Sequence, residues 1–305
     1  LALAVGIDIG GTKVSVGVVD QEGRVVAKSA LKTDLTVPPG HMVARIAESV
    51  NGMMAEHGWN YVDMMGIGIG APGPLDPKAG KITCPPNLPS WKDFTLAAEL
   101  QKRLPCDIRL ENDATAATLA EKWLGAARET DHFVYLTIST GIGAGIYLHG
   151  KLITGATGNA GDAGHIVVDP AAGQCTCGQY GCWEQVASGT AIARQASELR
   201  GKPVTAKQVF ELADQGDSEM LALVNKVYRY VGVGCVSLIN LLDPDMIVIG
   251  GGVSQVGAPL FQAVQQYVSR HALNPSGRET AVVPAVLDQD AGLIGAAALI
   301  HREYA

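Results

Sequence analysis

The chain has 305 residues, of which 47% are hydrophobic and 17% charged, with 37 glycines and 15 prolines. Such a length exceeds one ordinary core and predicts two domains or one large α/β unit, while the apolar content and the lack of low-complexity tracts exclude disorder. A net charge of −7 with no Lys/Arg cluster of five argues against nucleic acid as the main ligand, and the best apolar run, 231–242, falls short of the about 20 residues a membrane span needs.

The opening LALAVGIDIGG has neither the basic segment nor the small-residue cleavage site of a signal peptide, so a cytoplasmic location is expected. Val5, Ile7 and Ile9 alternate, as do Val14, Val16 and Val18, with Gly10-Gly11-Thr12 between them. After Glu22-Gly23 a third strand follows over 24–28, which makes an antiparallel meander rather than strand–loop–helix. An amphipathic helix is predicted over 40–57 (Met42, Val43, Ile46, Val50, Met53, Met54) and a strand over 64–69. The segment 71–91 holds six of the fifteen prolines and reads as a long loop without its own structure, the kind that forms a lid or a binding wall. A strand over 107–110 then leads through Glu111-Asn112-Asp113 into an Ala-rich helix ending near Leu124.

Residues 136–152, LTISTGIGAGIYLHGKL, repeat the order of residues 7–23, IDIGGTKVSVGVVDQEG: apolar strand, Gly/Thr-rich turn, apolar strand, polar turn. The copies lie about 130 residues apart, and a duplication with a phosphate-type turn in each half suggests two similar lobes serving one nucleotide; two unrelated hairpins are the plainer alternative. Helices are predicted over 190–200, 206–215, 218–242 and 259–273, with a buried strand in DPDMIVIGGGVS and a last apolar helix in AGLIGAAALIHRE. Asp243-Pro244 stops the long helix.

Several motifs carry chemistry. Asp8 with Gly10, Gly11, Thr12 and Lys13 can offer backbone N–H groups, a hydroxyl and positive charge to phosphate, and the Asp can hold Mg²⁺ through water. The spacing is not that of a Walker A loop. The turn Ser139–Gly145, with Thr140, Gly141 and Gly143, reads as a second cradle, and Gly250-Gly251-Gly252 permits a flat ligand to approach the backbone. Asp113, after Asn112 at a strand-to-helix junction, can take a proton from a substrate hydroxyl, although Asn and Asp are equally good helix caps. His165 with Cys175, Cys177 and Cys182 suits a closed, structural, tetrahedral Zn²⁺ site that would fix its polar flanks as a binding wall. Cys84, Cys106 and Cys235 read as ordinary small core residues.

DIGGT at 8–12, ENDA at 111–114, STGIGAG at 139–145, G-x-x-G-x-x-G-H at 158–165, C-x-C-G-x-x-G-C-x-E at 175–184 and IGGG at 249–252 occur in this order. Together they closely resemble the ROK family of bacterial sugar kinases and repressors, over essentially the whole chain. The resemblance implies the α/β actin-like ATPase (ribonuclease H-like) fold, two lobes with an interlobe cleft: a small lobe over 1–115 with a C-terminal helix 289–305, and a large lobe over 116–288 with the zinc loop. It implies an ATP-dependent hexose kinase acting on the 6-hydroxyl of glucose, with ATP, Mg²⁺ and structural Zn²⁺ as cofactors, and a homodimer. By matching positions, Asp113 is the catalytic base; Asn112, Asp113, Asp162, His165 and Glu184, with Gly73 and Asn87 from the proline loop, bind the sugar. Asp8, Gly10, Gly11, Thr12 and Lys13 form the first phosphate motif, Thr140, Gly141 and Gly143 the second, and Gly251 and Gly252 the adenosine motif. Zinc takes His165, Cys175, Cys177 and Cys182.

The chain departs from the family where Asp162 stands in place of the usual Glu, a side chain shorter by about 1.5 Å. A kinase for N-acetylmannosamine, N-acetylglucosamine, fructose or an amino sugar is therefore the alternative. The family's repressors are a remoter one: seven residues precede Asp8, where a DNA-binding segment would have to lie, and the acidic balance opposes DNA.

Overall fold

The computed structural model describes residues 2–287 and 290–302; residue 289 and residues 303–305 of the expected last helix lie outside them. The strands and helices run in the order β1 Leu3–Ile9, β2 Lys13–Asp20, β3 Val25–Lys32, α1 Pro39–His57, β4 Met64–Ala71, β5 Leu75–Asp76, β6 Lys81–Ile82, α2 Leu96–Gln101, β7 Ile108–Asn112, α3 Asp113–Trp123, β8 Phe133–Ile138, β9 Ile142–Leu148 and β10 Lys151–Leu152. Then come α4 Glu184–Ala187, α5 Gly189–Arg200, α6 Ala206–Asp214, α7 Ser218–Leu242, β11 Met246–Gly250, α8 Ala258–His271, β12 Ala281–Pro284 and α9 Ala291–His301.

One sheet has the order β3-β2-β1-β4-β7 and a second the order β10-β9-β8-β11-β12. The two are the same topology written twice, which makes the internal repeat a duplicated unit and not a pair of unrelated hairpins. In the first, β1 pairs antiparallel with β2 and parallel with β4, which pairs parallel with β7. In the second, β11 lies parallel between β8 and β12. Central parallel strands are covered on both faces, which is why β1 and β4 read as nearly unbroken apolar and glycine runs.

The chain divides into two compact units, 1–129 with 145–161 and 287–305, and 130–144 with 162–286. The first is built around Val5, Ile7, Val16, Ile46, Ile67 and Ile69, all fully buried. Its α9 is apolar on every side, as a helix must be when it is enclosed all round. It lies against β1 and β4 at backbone contact: a methyl on Gly68 would fall 1.7 Å from the Ala296 carbonyl oxygen, and one on Gly295 would fall 2.0 Å from that of Ala116 in α3. The second unit is centred on Leu136, Ile138, Trp183, Val227, Val231 and Ile249.

Two expectations need correction. The segment 71–91 is not structureless: it forms the β5–β6 hairpin and a 3-10 turn over Pro89–Trp91, and it buries Leu88 and Trp91 completely. Cys84, in that segment, is exposed and not a core residue; Cys106 is half-buried, and only Cys235 of that trio is fully enclosed. Its neighbours explain the exposure, since Ile82, Pro85 and Leu88 take the inward positions and the turn between them leaves Cys84 pointing out.

Candidate active site

Within the first unit the parallel strands end in register. Asp8 is paired with Gly70, and Gly70 with Glu111, so the chain ends of β1, β4 and β7 deliver Asp8–Gly11, Pro72-Gly73 and Asn112-Asp113 to one edge. Ligands of open α/β sheets bind outside the carboxyl ends of such strands. Gly70 stands between the two acids: a side chain there would start 4.0 Å from Asp8 Oδ1 and 3.6 Å from Asp113 Cα. Burial, and then the negative charge of Asp113, push the Asp8 carboxyl up to about 6 against the opposing pull of Lys13.

Asn112 is the N-cap of α3, its Oδ1 accepting from Ala114 N–H at 2.9 Å and Thr115 N–H at 3.2 Å. The capping and ligand-binding readings are therefore compatible. With Oδ1 turned to the helix, the amide Nδ2 faces Gly73, 3.3 Å from where a methyl on that residue would sit. Asp113 Oδ1 accepts from Ala114 N–H at 2.8 Å. Asn87 lies beside the first glycine turn, its backbone oxygen 3.4 Å from a methyl placed on Gly11. Thr12 and Lys13 are exposed.

Asn159 is a residue that sequence reasoning missed. Its side chain accepts from Leu75 N–H and donates to the Leu75 carbonyl, both at 2.9 Å, as a neighbouring strand would. This clamp holds the chain just after Gly73. Its only sequence signal is its place inside the Gly-rich run that ends at His165.

In the second unit, β8 and β11 end at Ser139-Thr140 and Gly250-Gly251. Gly251 has φ +87°, and a methyl there would come 2.5 Å from the Ile138 carbonyl oxygen, so the turn after β11 lies against the backbone at the end of β8. Thr140 and Gly252 line a cavity of about 1150 Å³ together with Gly189, Asn225, Phe210 and Gln262. Phe210 stacks on Tyr228 in its wall, with ring centroids 6.4 Å apart. Gly141, Gly143 and Gly251 are not among the residues lining that cavity; they shape the turns beside it.

The ligand atoms of His165, Cys175, Cys177 and Cys182 all lie within 4.8 Å of one another. Cys177 and Cys182 Sγ are 3.6 Å apart, and Cys175 Sγ is 3.7 Å from His165 Nδ1. A tetrahedron with metal–sulfur bonds of about 2.3 Å has edges of about 3.8 Å, so the donor set fits zinc in number, type and spacing. Burial opposes ionisation of the Cys175 thiol, yet hydrogen bonds from Cys177, His165 and Thr176 bring it down to about 6. Burial and the neighbouring sulfurs push Cys182 up to about 12, so a cation is what would draw all three thiolates together.

Asp162 ends just before the 3-10 turn that carries His165; it is exposed, and partial desolvation raises its carboxyl while His165 pulls it the other way. Glu184, the first residue of α4, accepts the Ile142 N–H on its Oε2 at 2.8 Å.

The chain, with its two α/β sheets of one topology, belongs to the ROK family, whose model matches residues 4–303, and it is an ATP-dependent sugar kinase. It has the actin-like ATPase fold. It is 37% identical to a glucokinase of Thermotoga maritima, over 98% of this chain and 97% of that one. A ROK hexokinase structure from Thermus thermophilus superposes with a TM-score of 0.84 at 36% identity, covering 97% of each chain. A ROK family glucokinase from Streptomyces griseus, solved with glucose and AMPPNP, gives 0.83 at 34% identity over 98% of this chain and 99% of that one. No helix among the described residues is long and apolar enough to cross a membrane.

Proposed function

We propose that the protein is an ATP-dependent hexose kinase that phosphorylates the 6-hydroxyl of glucose. The observation that carries the chemistry is the placement of Asp113 beside Gly70 of β4, with Asp8 on the neighbouring β1 close enough for the charge of Asp113 to help raise its carboxyl. The choice of glucose rests on the full-length likeness to the Thermotoga and Streptomyces glucokinases.

Asp113 is the base that takes the 6-hydroxyl proton, and Asn112 Nδ2 with Gly73 and Asn87 orients the sugar on the first unit. By the resemblance, Asp162, His165 and Glu184 have sugar-binding roles as well. The backbone of Gly10, Gly11 and Thr12, with Lys13, and that of Thr140, Gly141 and Gly143, donate to the phosphates, while Gly251 and Gly252 leave room for the nucleoside. Asp8 would hold Mg²⁺ through water, and the ion would supply neutralisation of charge on the transferring phosphates. Zinc on His165, Cys175, Cys177 and Cys182 is structural. The resemblance extends the proposal to a cytoplasmic homodimer, which sedimentation would test.

Asp113→Asn tests the reading. Asn can still accept the Ala114 N–H, and Asn112 caps the same helix, so melting should stay close to the parent's. Turnover should fall about 10²- to 10⁴-fold, the usual contribution of a positioned base. Near-parental turnover would remove Asp113 from the mechanism. A second reading, a kinase for an N-acetylated or amino sugar, is favoured by the exposed, shorter Asp162 alone.

A further inference from the structure

The turn after β8 is held at both ends by one short segment of the second unit. At one end Gly189 N–H donates to the Ser139 carbonyl at 2.7 Å; at the other Glu184 Oε2 accepts Ile142 N–H at 2.8 Å. Between them Ser139 N–H donates to the Gly141 carbonyl at 2.9 Å and closes the turn on itself. Gly141 must lack a side chain for this, since a methyl there would lie 2.2 Å from Glu184 Oε2. The Ile142 carbonyl packs closely against Gly164: a methyl there would fall 2.3 Å from that oxygen. Gly164 adjoins His165, and Glu184 lies two residues beyond Cys182, whose neighbour Trp183 donates its N–H to the Ile166 carbonyl at 2.8 Å. The Ile142 N–H is thus held, and its carbonyl closely packed, by residues next to the His/Cys cluster.

We propose that Glu184 is a positioning residue for the nucleotide-side turn Ser139–Gly143, in addition to any sugar contact. This rests on the kinase reading for its consequence but not for its geometry. The two carboxylate oxygens divide the work: Oε2 orders the Ile142 amide, leaving Oε1 for a sugar hydroxyl. An ordered turn presents its N–H groups to phosphate already aligned, so the cost of aligning them is not drawn from nucleotide binding. The segment that follows the His/Cys cluster would then set the phosphate turn and not only a sugar wall.

The test uses the metal-loaded full chain, with Glu184→Ala and Glu184→Gln, and no sugar. MgADP affinity is read by calorimetry, and amide exchange across 139–146 by mass spectrometry. Loss of a hydrogen bond to a charged acceptor predicts MgADP binding about 10-fold weaker in E184A and exchange at Ile142 about 10-fold faster or more. E184Q retains an acceptor and should stay within about 3-fold of the parent in both. Parental exchange and parental affinity in E184A would overturn the proposal, as would E184Q behaving like E184A. Should E184A not fold, Gly141→Ala disturbs the same contact from the other side, since its methyl would lie 2.2 Å from Glu184 Oε2. Faster exchange at Ile142 is expected there, and parental exchange would again overturn the proposal. If the parent binds no nucleotide at all, the kinase reading fails, while the exchange result still decides the role of Glu184.

Discussion

Glu111 offers a quantitative test of how β7 delivers Asp113. Its side chain is 8% exposed, and burial pushes the carboxyl up to about 7, with only the hydrogen bond from Asn112 N–H to Oε1 acting the other way. In the unfolded chain the same group titrates near its ordinary value of 4.5. Between those two values the folded state holds the proton more tightly, so the contribution of Glu111 to stability is fully present below pH 4.5 and is lost as the pH rises through 7. At 1.36 kcal/mol per pH unit the loss is on the order of 3 kcal/mol, constant above pH 7. Asp8, raised to about 6, adds a decline of the same sign at lower pH. In Glu111→Gln the amide oxygen can accept the same N–H without titrating. Urea denaturation of parent and variant at pH 4.5, 6 and 8 should show the variant gaining on the parent by roughly 2–3 kcal/mol across that range. A difference between the two that does not change with pH would refute the buried, proton-holding Glu111.

Gly68→Ala should be among the most damaging conservative changes in the first unit, because its methyl would meet the Ala296 carbonyl at 1.7 Å and push α9 off the sheet. A loss of about 3 kcal/mol or more is expected in denaturant melts, and a loss under about 1 kcal/mol would contradict the backbone-contact packing. Metal analysis should find one zinc per chain, and its verified removal should lower the melting temperature; unchanged melting would remove the structural role of the His165–Cys182 cluster. Asn159→Ala should raise the KM for sugar several-fold with less effect on the KM for ATP, since the clamp on Leu75 positions Gly73; equal shifts in both would refute that assignment.

Much of the frame is legible in the chain because it is written in local patterns. The alternation around Gly10-Gly11-Thr12 gives β1 and β2, and Pro244 ends α7 near where its pattern stops. The repeat of that hairpin at 136–152 foretells the second sheet, although only the strand orders show that the duplication reaches β4, β7, β11 and β12. Short elements escape for a physical reason. The six residues of α2 and the four of α4 are too few to show a helical period, and β12 is a four-residue strand defined by pairing with β11 rather than by its own alternation. In the site, residue types and spacing point to the carboxylates and the sulfur cluster. The links between them, Asn159 to Leu75 and Glu184 to Ile142, join positions 84 and 42 residues apart and leave no local mark.

The central claim is phosphoryl transfer from ATP to the 6-hydroxyl of glucose. ADP release with MgATP, measured across glucose, mannose, fructose, glucosamine, N-acetylglucosamine and N-acetylmannosamine, tests it most directly. A clear preference for glucose with glucose 6-phosphate as product is the predicted result, and Asp162 is then a tolerated shortening. A preference for an N-acetylated or amino sugar would contradict the choice of glucose and make Asp162 the residue that altered the pocket, and no turnover with any of the six would contradict the kinase reading itself.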